Sequence, residues 1–150
     1  MAAPKPILPP TVLLVALLCT GILHWAVPGM RILAPPWTLA GLVPLAAGAG
    51  LNLAADRAFK RRGTTVKPFV ESSALVTDGV FAISRNPMYL GFVLMVLGLA
   101  MLLGSLIPFL VVLALGPVLE FRFIRAEERM LAARFGAEWE AYRNRVRRWI

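Results

Sequence analysis

From Pro87 to Pro117 the chain carries no charged residue over 31 consecutive positions. A soluble domain leaves one face of each helix or sheet in water, so a run this long and this apolar points to a bilayer. A hydrocarbon core about 30 Å thick takes about 20 helical residues. One straight helix would overshoot it. Gly104-Ser105, with Pro108 just beyond, supplies a break near the middle. The run therefore predicts a tight hairpin, with helices over 87–103 and 106–121. Each arm is short, which suits a tilted helix or a thinned bilayer. Gly91, Gly98 and Gly104 recur at near-helical spacing, and small residues let membrane helices approach closely.

Two more runs qualify as spans. Ile7 to Val27 holds no acid, lysine or arginine, and Pro9-Pro10 suits a helix start. Trp37 to Ala55 is uncharged over 19 residues and begins a helix expected to reach about residue 62. The first run does not read as a cleaved leader. Lys5 is its one flanking side-chain charge, and no small-x-small pattern follows before Arg31. Composition agrees with a membrane class: 59% of residues are hydrophobic, against the 45–50% typical of soluble domains, and mean hydropathy is +0.73. A lone cysteine, Cys19, builds no intrachain disulfide framework and reads as a packing residue.

Charge placement gives the orientation. Net charge is +8, yet 14 of the 16 basic residues fall in two segments. One lies between Asp56 and Asn86, the other after Phe121, and Lys5 sits near the start. The positive-inside rule puts the N-terminus, the middle loop and the C-terminus in the cytoplasm. Four crossings have that parity, and a bacterial inner membrane is the expected location. The basic residues flank apolar helices and no nucleic-acid module is visible, so a nucleic-acid partner is not expected.

Beyond the hairpin, Ile124, Leu131, Phe135, Trp139, Tyr142, Val146 and Trp149 form the apolar stripe of an amphipathic helix over 122–146. Arginines fill much of the rest, so this helix is expected at an anionic membrane surface, with a short break open at Gly136. Glu128 lies within the stripe and Glu127 at its edge. A carboxylate facing the buried side needs a partner or a ligand. Arg125, Arg129 or a middle-loop base would supply an ion pair; a functional role is the alternative.

At the start of the third helix, Asn86 suits an N-cap and Pro87 the first helical position. Backbone N–H groups and the positive end of the dipole would then face the interface. Tyr89 and Gly91 follow, and Gly91 permits close approach to the backbone. Asn52 and Asp56, one turn apart on the second helix, suit interhelical hydrogen bonding. His24 beside Trp25 reads as an interfacial residue, and no metal site is expected, since no second histidine exists.

The order of these pieces resembles the isoprenylcysteine carboxyl methyltransferase and phospholipid methyltransferase superfamily. Leu75-Val76-Thr77-Asp78-Gly79 leads into Arg85-Asn86-Pro87-Met88-Tyr89-Leu90-Gly91, where the superfamily has Arg-His-Pro-x-Tyr-x-Gly before a hydrophobic hairpin. Glu127-Glu128, Phe135-Gly136, Trp139, Tyr142 and Val146-Arg147-Arg148-Trp149 follow in the expected order. Upstream, Gly63-Thr64-Thr65-Val66-Lys67-Pro68 looks like a loop of bacterial members. The family histidine is Asn86 here. Asparagine can cap and hydrogen-bond but cannot act as a general base.

The apolar runs and the stripe predict one all-α, polytopic membrane domain over 1–150, with about four transmembrane helices plus the amphipathic helix, and the resemblance covers about residues 52–150 of it. The resemblance implies S-adenosylmethionine as methyl donor, bound at the cytoplasmic end of the hairpin. Arg85, Asn86, Pro87, Tyr89, Leu90 and Gly91 would form one wall, and Glu127 and Glu128 another. Glu127, Glu128 and Arg125 are the implied catalytic residues, with Arg122 and Arg125 on an anionic acceptor. The acceptor would be a lipophilic or lipid-linked carboxylate, thiol or amine. A nicotinamide-dependent membrane reductase of the sterol-reductase type and a small transporter or scaffold are the alternatives. Against transport, the first two helices offer no intramembrane acid.

Overall fold

The structure is a computed structural model and describes residues 7–27, 29–63 and 74–150. Lys5, Lys67 and the Thr64–Pro68 part of the middle loop lie outside them. The described residues form α1 (Pro9–Ala26), α2 (Leu42–Arg61, entered through a 3-10 turn at Trp37–Gly41), α3 (Pro87–Leu103) and α4 (Leu106–Leu119). A π turn at Glu120–Ile124 leads into α5 (Arg125–Phe135), and α6 (Ala137–Arg145) follows. Among the described residues the only strand-like pairing is an isolated bridge between Arg31 and Ser105.

The protein is an all-α, polytopic membrane chain. Pro9–Ala26, Trp37–Arg61 and Leu106–Phe135 are each long and apolar enough to cross a bilayer, and α3 is a shorter apolar helix. Leu14, Leu18 and Ile22 on α1 and Leu113 on α4 are more than half exposed. Side chains of that kind along a whole helix are at home in lipid rather than water. Helix α3 is the central element: Tyr89, Gly91, Phe92, Val96, Gly98 and Ala100 on it are all buried.

Sequence explains where the hairpin turns. Gly104 takes φ +73°, a left-handed conformation that glycine adopts without a Cβ penalty, and its N–H closes on the Ala100 carbonyl. The Gly104 carbonyl accepts the N–H groups of Ile32 and Leu33, and the Leu106 N–H reaches the Met30 carbonyl. His24 Nδ1 and Ser105 Oγ lie 2.7 Å apart, which ties the end of α1 to the same turn.

The π turn joins the expected helices over 106–121 and 122–146, and the break left open at Gly136 is present. No break separates α4 from α5. Pro117 lies inside α4, and the ladder widens three residues later, with the Arg125 N–H reaching the Glu120 carbonyl. The helical path then runs 30 residues, about 45 Å at 1.5 Å per residue, so its charged end projects beyond a core about 30 Å thick. The break falls at Gly136, with φ +49°.

The C-terminal stripe also has a different use from the expected one. Trp139, Tyr142 and Val146 are buried against Leu75, with Leu131 and Phe135 packed around them. The Tyr142 hydroxyl donates to the Phe81 carbonyl at 2.7 Å. The stripe is therefore spent on the chain's own middle segment, which folds α5 and α6 back toward the start of α3.

Candidate active site

The site sits where α3 begins. Pro87 occupies the first turn and Asn86 the cap position, but the Asn86 side chain makes no cap bond. Its Nδ2 donates instead to the Arg148 carbonyl at 3.1 Å. The Ser84 hydroxyl donates to the same carbonyl at 3.3 Å, and the Arg85 N–H donates to the Arg147 carbonyl at 3.0 Å. The last residues of the chain are thus latched across the entry to α3. The chain leaves α6 at Val146, which is extended, and beyond it Arg147 is exposed while Arg148 and Trp149 are half-buried.

Arg85 is held from several directions. Nη1 donates to the Arg143 and Val146 carbonyls at 3.0 and 3.1 Å, and Nη2 to Glu128 Oε1 at 3.0 Å. The guanidinium lies 5.7 Å from the Trp139 ring centroid. Its Nε is buried with no acceptor, the one such side-chain atom among the described residues. An orphaned donor on a cation is costly unless something accepts from it.

Glu128 also takes Arg148, whose Nη2 lies 2.7 Å from Oε2. Arg148 Nη1 donates to Glu120 at 2.9 Å, and Glu120 accepts from Arg125 through Nε and Nη2. The result is one alternating chain of charge: Arg125, Glu120, Arg148, Glu128, Arg85. Burial on its own pushes Glu128 up, but the Arg148 hydrogen bond and the nearby Arg85 charge outweigh it and hold the carboxyl below its ordinary value.

Glu127 behaves in the opposite way. Among the described residues its side-chain partner is Tyr89, whose hydroxyl donates to Oε1 at 2.6 Å. Burial raises its carboxyl above the ordinary value, and the Tyr89 bond opposes that only in part. Tyr89 itself stacks near Phe123, with ring centroids 6.2 Å apart. Two adjacent glutamates therefore have different surroundings, one ion-paired and one held by a neutral hydroxyl.

The remaining candidates divide. Gly91 is buried against α2, where an added Cβ would lie 2.7 Å from the Gly48 carbonyl and closer still to Asn52. Asn52 Nδ2 donates to the Gly48 and Met88 carbonyls at 3.0 and 3.4 Å, so its role is interhelical. Asp56 pairs with Lys60 on its own helix. Leu90 is half-buried, and Arg122 is exposed. Arg125 is exposed and stacks on Phe121 at 4.2 Å while it pairs with Glu120. Glu120 is not among the residues expected at the site from sequence, and Arg148 enters there only as part of the tail motif. Among the described residues no three His, Cys, Asp or Glu side chains gather to hold a metal.

An all-α membrane bundle that brings an Arg-Asn-Pro-x-Tyr turn against a glutamate pair defines a class, and the comparisons agree with it. The chain belongs to the phospholipid methyltransferase family, whose model matches residues 37–138. Over 73 residues it is 42% identical to a protein-S-isoprenylcysteine O-methyltransferase of Schizosaccharomyces pombe (strain 972 / ATCC 24843). That stretch covers 48% of this chain and 30% of the relative, so the match spans under a third of the relative's length. No solved structure matches the chain.

Proposed function

We propose that this protein transfers a methyl group from S-adenosylmethionine to a lipophilic or membrane-delivered acceptor bearing a carboxylate, thiol or amine. The observation that carries this is the pairing of the α3 entry with Glu127 and Glu128. The donor set fits the donor molecule. Carboxylates suit its ammonium and ribose hydroxyls, and Arg85 has a buried donor in want of an acceptor. Arg85, Asn86, Pro87, Tyr89 and Leu90 would line one side, with Glu127 and Glu128 opposite. Gly91 would serve by letting α2 pack against this turn.

When bound, S-adenosylmethionine supplies an electrophilic methyl on a sulfonium cation. The protein's part is then chiefly positioning. A carboxylate or thiolate acceptor needs no base in the transfer step. An ammonium acceptor must first lose a proton, and Glu127, half-buried and without an ion pair among the described residues, is better suited to take it than Glu128. Arg122 and Arg125 would orient an anionic acceptor. The single domain would lie in a bacterial inner membrane with both termini cytoplasmic, taking the acceptor sideways from the bilayer. Calorimetric titration of S-adenosylmethionine, and separately NADPH, into detergent-purified protein tests this. Saturable donor binding weakened by Tyr89→Ala and Glu128→Gln is the expected result. NADPH binding in its place would move the assignment to a reductase.

A further inference from the structure

Arg85 and Arg148 both contact Glu128, but they are built differently. Arg85 is 9% exposed at its side chain and spends Nη1 on two backbone carbonyls, so it is fixed. Arg148 is 33% exposed, and among the described residues its guanidinium bonds only to the carboxylates of Glu128 and Glu120. Its backbone, in contrast, is anchored, because its carbonyl accepts from both Asn86 and Ser84. A planar fork on a fixed base, holding only carboxylates, can exchange one carboxylate for another without losing hydrogen bonds.

A zwitterion with the layout of an α-amino acid matches that exchange. Its carboxylate would replace Glu128 on Arg148, and its ammonium would take the Glu128 oxygens so released. One ion pair becomes two and the net charge of the cluster is conserved, so neither side chain is left buried and unpaired. We propose that Arg148 is the anchor for the carboxylate of the methyl donor's amino-acid end, with the C-terminal latch serving to hold it there. This rests on the donor assignment made above. It adds a residue from the tail to a site otherwise built from α3 and α5.

The test compares S-adenosylmethionine with its decarboxylated form, which lacks only the carboxylate, by calorimetric binding to detergent-purified protein. Arg148→Gln should weaken the intact donor about tenfold or more, the scale of one lost charge-assisted bond pair. It should leave the decarboxylated form within about twofold of wild type. Arg148→Lys keeps the charge without the fork and should give an intermediate loss for the intact donor alone. It carries the same comparison if the glutamine variant does not fold. Equal weakening of both compounds would mean a structural role and overturn the proposal, as would no weakening of either. A wild type that binds neither compound would instead defeat the donor assignment itself.

Discussion

The Tyr89 hydroxyl donates to Glu127 Oε1 across 2.6 Å, joining the first turn of α3 to the first turn of α5. Tyr89→Phe removes the donor and leaves a half-buried carboxyl oxygen without it. Loss of a buried partner of this kind costs about 1–3 kcal/mol. Reversible unfolding in detergent should register it. A double-mutant cycle with Glu127→Ala, which removes the acceptor, should return a coupling of about 1 kcal/mol. Additive single effects would mean the bond contributes nothing.

Glu128 stands between two guanidinium groups, whereas Arg125 pairs with Glu120 at the exposed end of the charge chain. Glu128→Gln should cost about 2–3 kcal/mol of stability, reduced from the fully buried case because Arg148 is partly solvated. Arg125→Ala should cost less than about 1 kcal/mol. The ratio is the informative quantity, and chemical denaturation of the two variants side by side measures it.

The spans and the hairpin were legible because hydropathy and the Gly104-Ser105 break are local properties of the chain. Glu127 and Glu128 were legible because they interrupt an apolar stripe. Arg148 was legible only as part of the tail motif and not as a site residue, since in a helical frame it is one basic residue among many. Its place follows from the non-helical tail after Val146, which brings its guanidinium to Glu128 and Glu120. Glu120 marked only the end of an apolar run until the π turn rotated it toward Arg148. The Asn86 side chain fitted a cap, but a carbonyl from the far end of the chain competes for it and wins.

The two glutamates should give opposite pH dependences. Glu128 is depressed below its ordinary 4.5, so its ion pairs stabilise the fold above that value. That contribution is lost as pH falls below 4.5 and through the folded value. The stability gap between wild type and Glu128→Gln should therefore close on acidification. Glu127 is raised, so charging it in the fold carries a cost that is absent below 4.5 and complete above its folded value. Wild type should lose stability relative to Glu127→Gln as pH rises through that window. Unfolding measured from about pH 2 to about pH 8, which spans the window below 4.5 for Glu128 and the window above it for Glu127, separates the two slopes. Parallel slopes would contradict the assigned environments.

Gly91 was expected to admit a ligand near the backbone, but in the structure α2 occupies that space. A methyl group there meets the Gly48 carbonyl, which cannot retreat without parting the helices, and the Asn52 amide, which can swing away only by giving up its bonds to the Gly48 and Met88 carbonyls. Gly91→Ala should therefore destabilise by about 1–3 kcal/mol, the usual cost of overpacking. Gly116→Ala is the control, since nothing lies within 4 Å of its added Cβ. It should be neutral or stabilising by about 0.5–1 kcal/mol, because alanine is the better helix former. If Gly91→Ala instead folds normally and loses only donor binding, the space beside Gly91 belongs to the ligand after all.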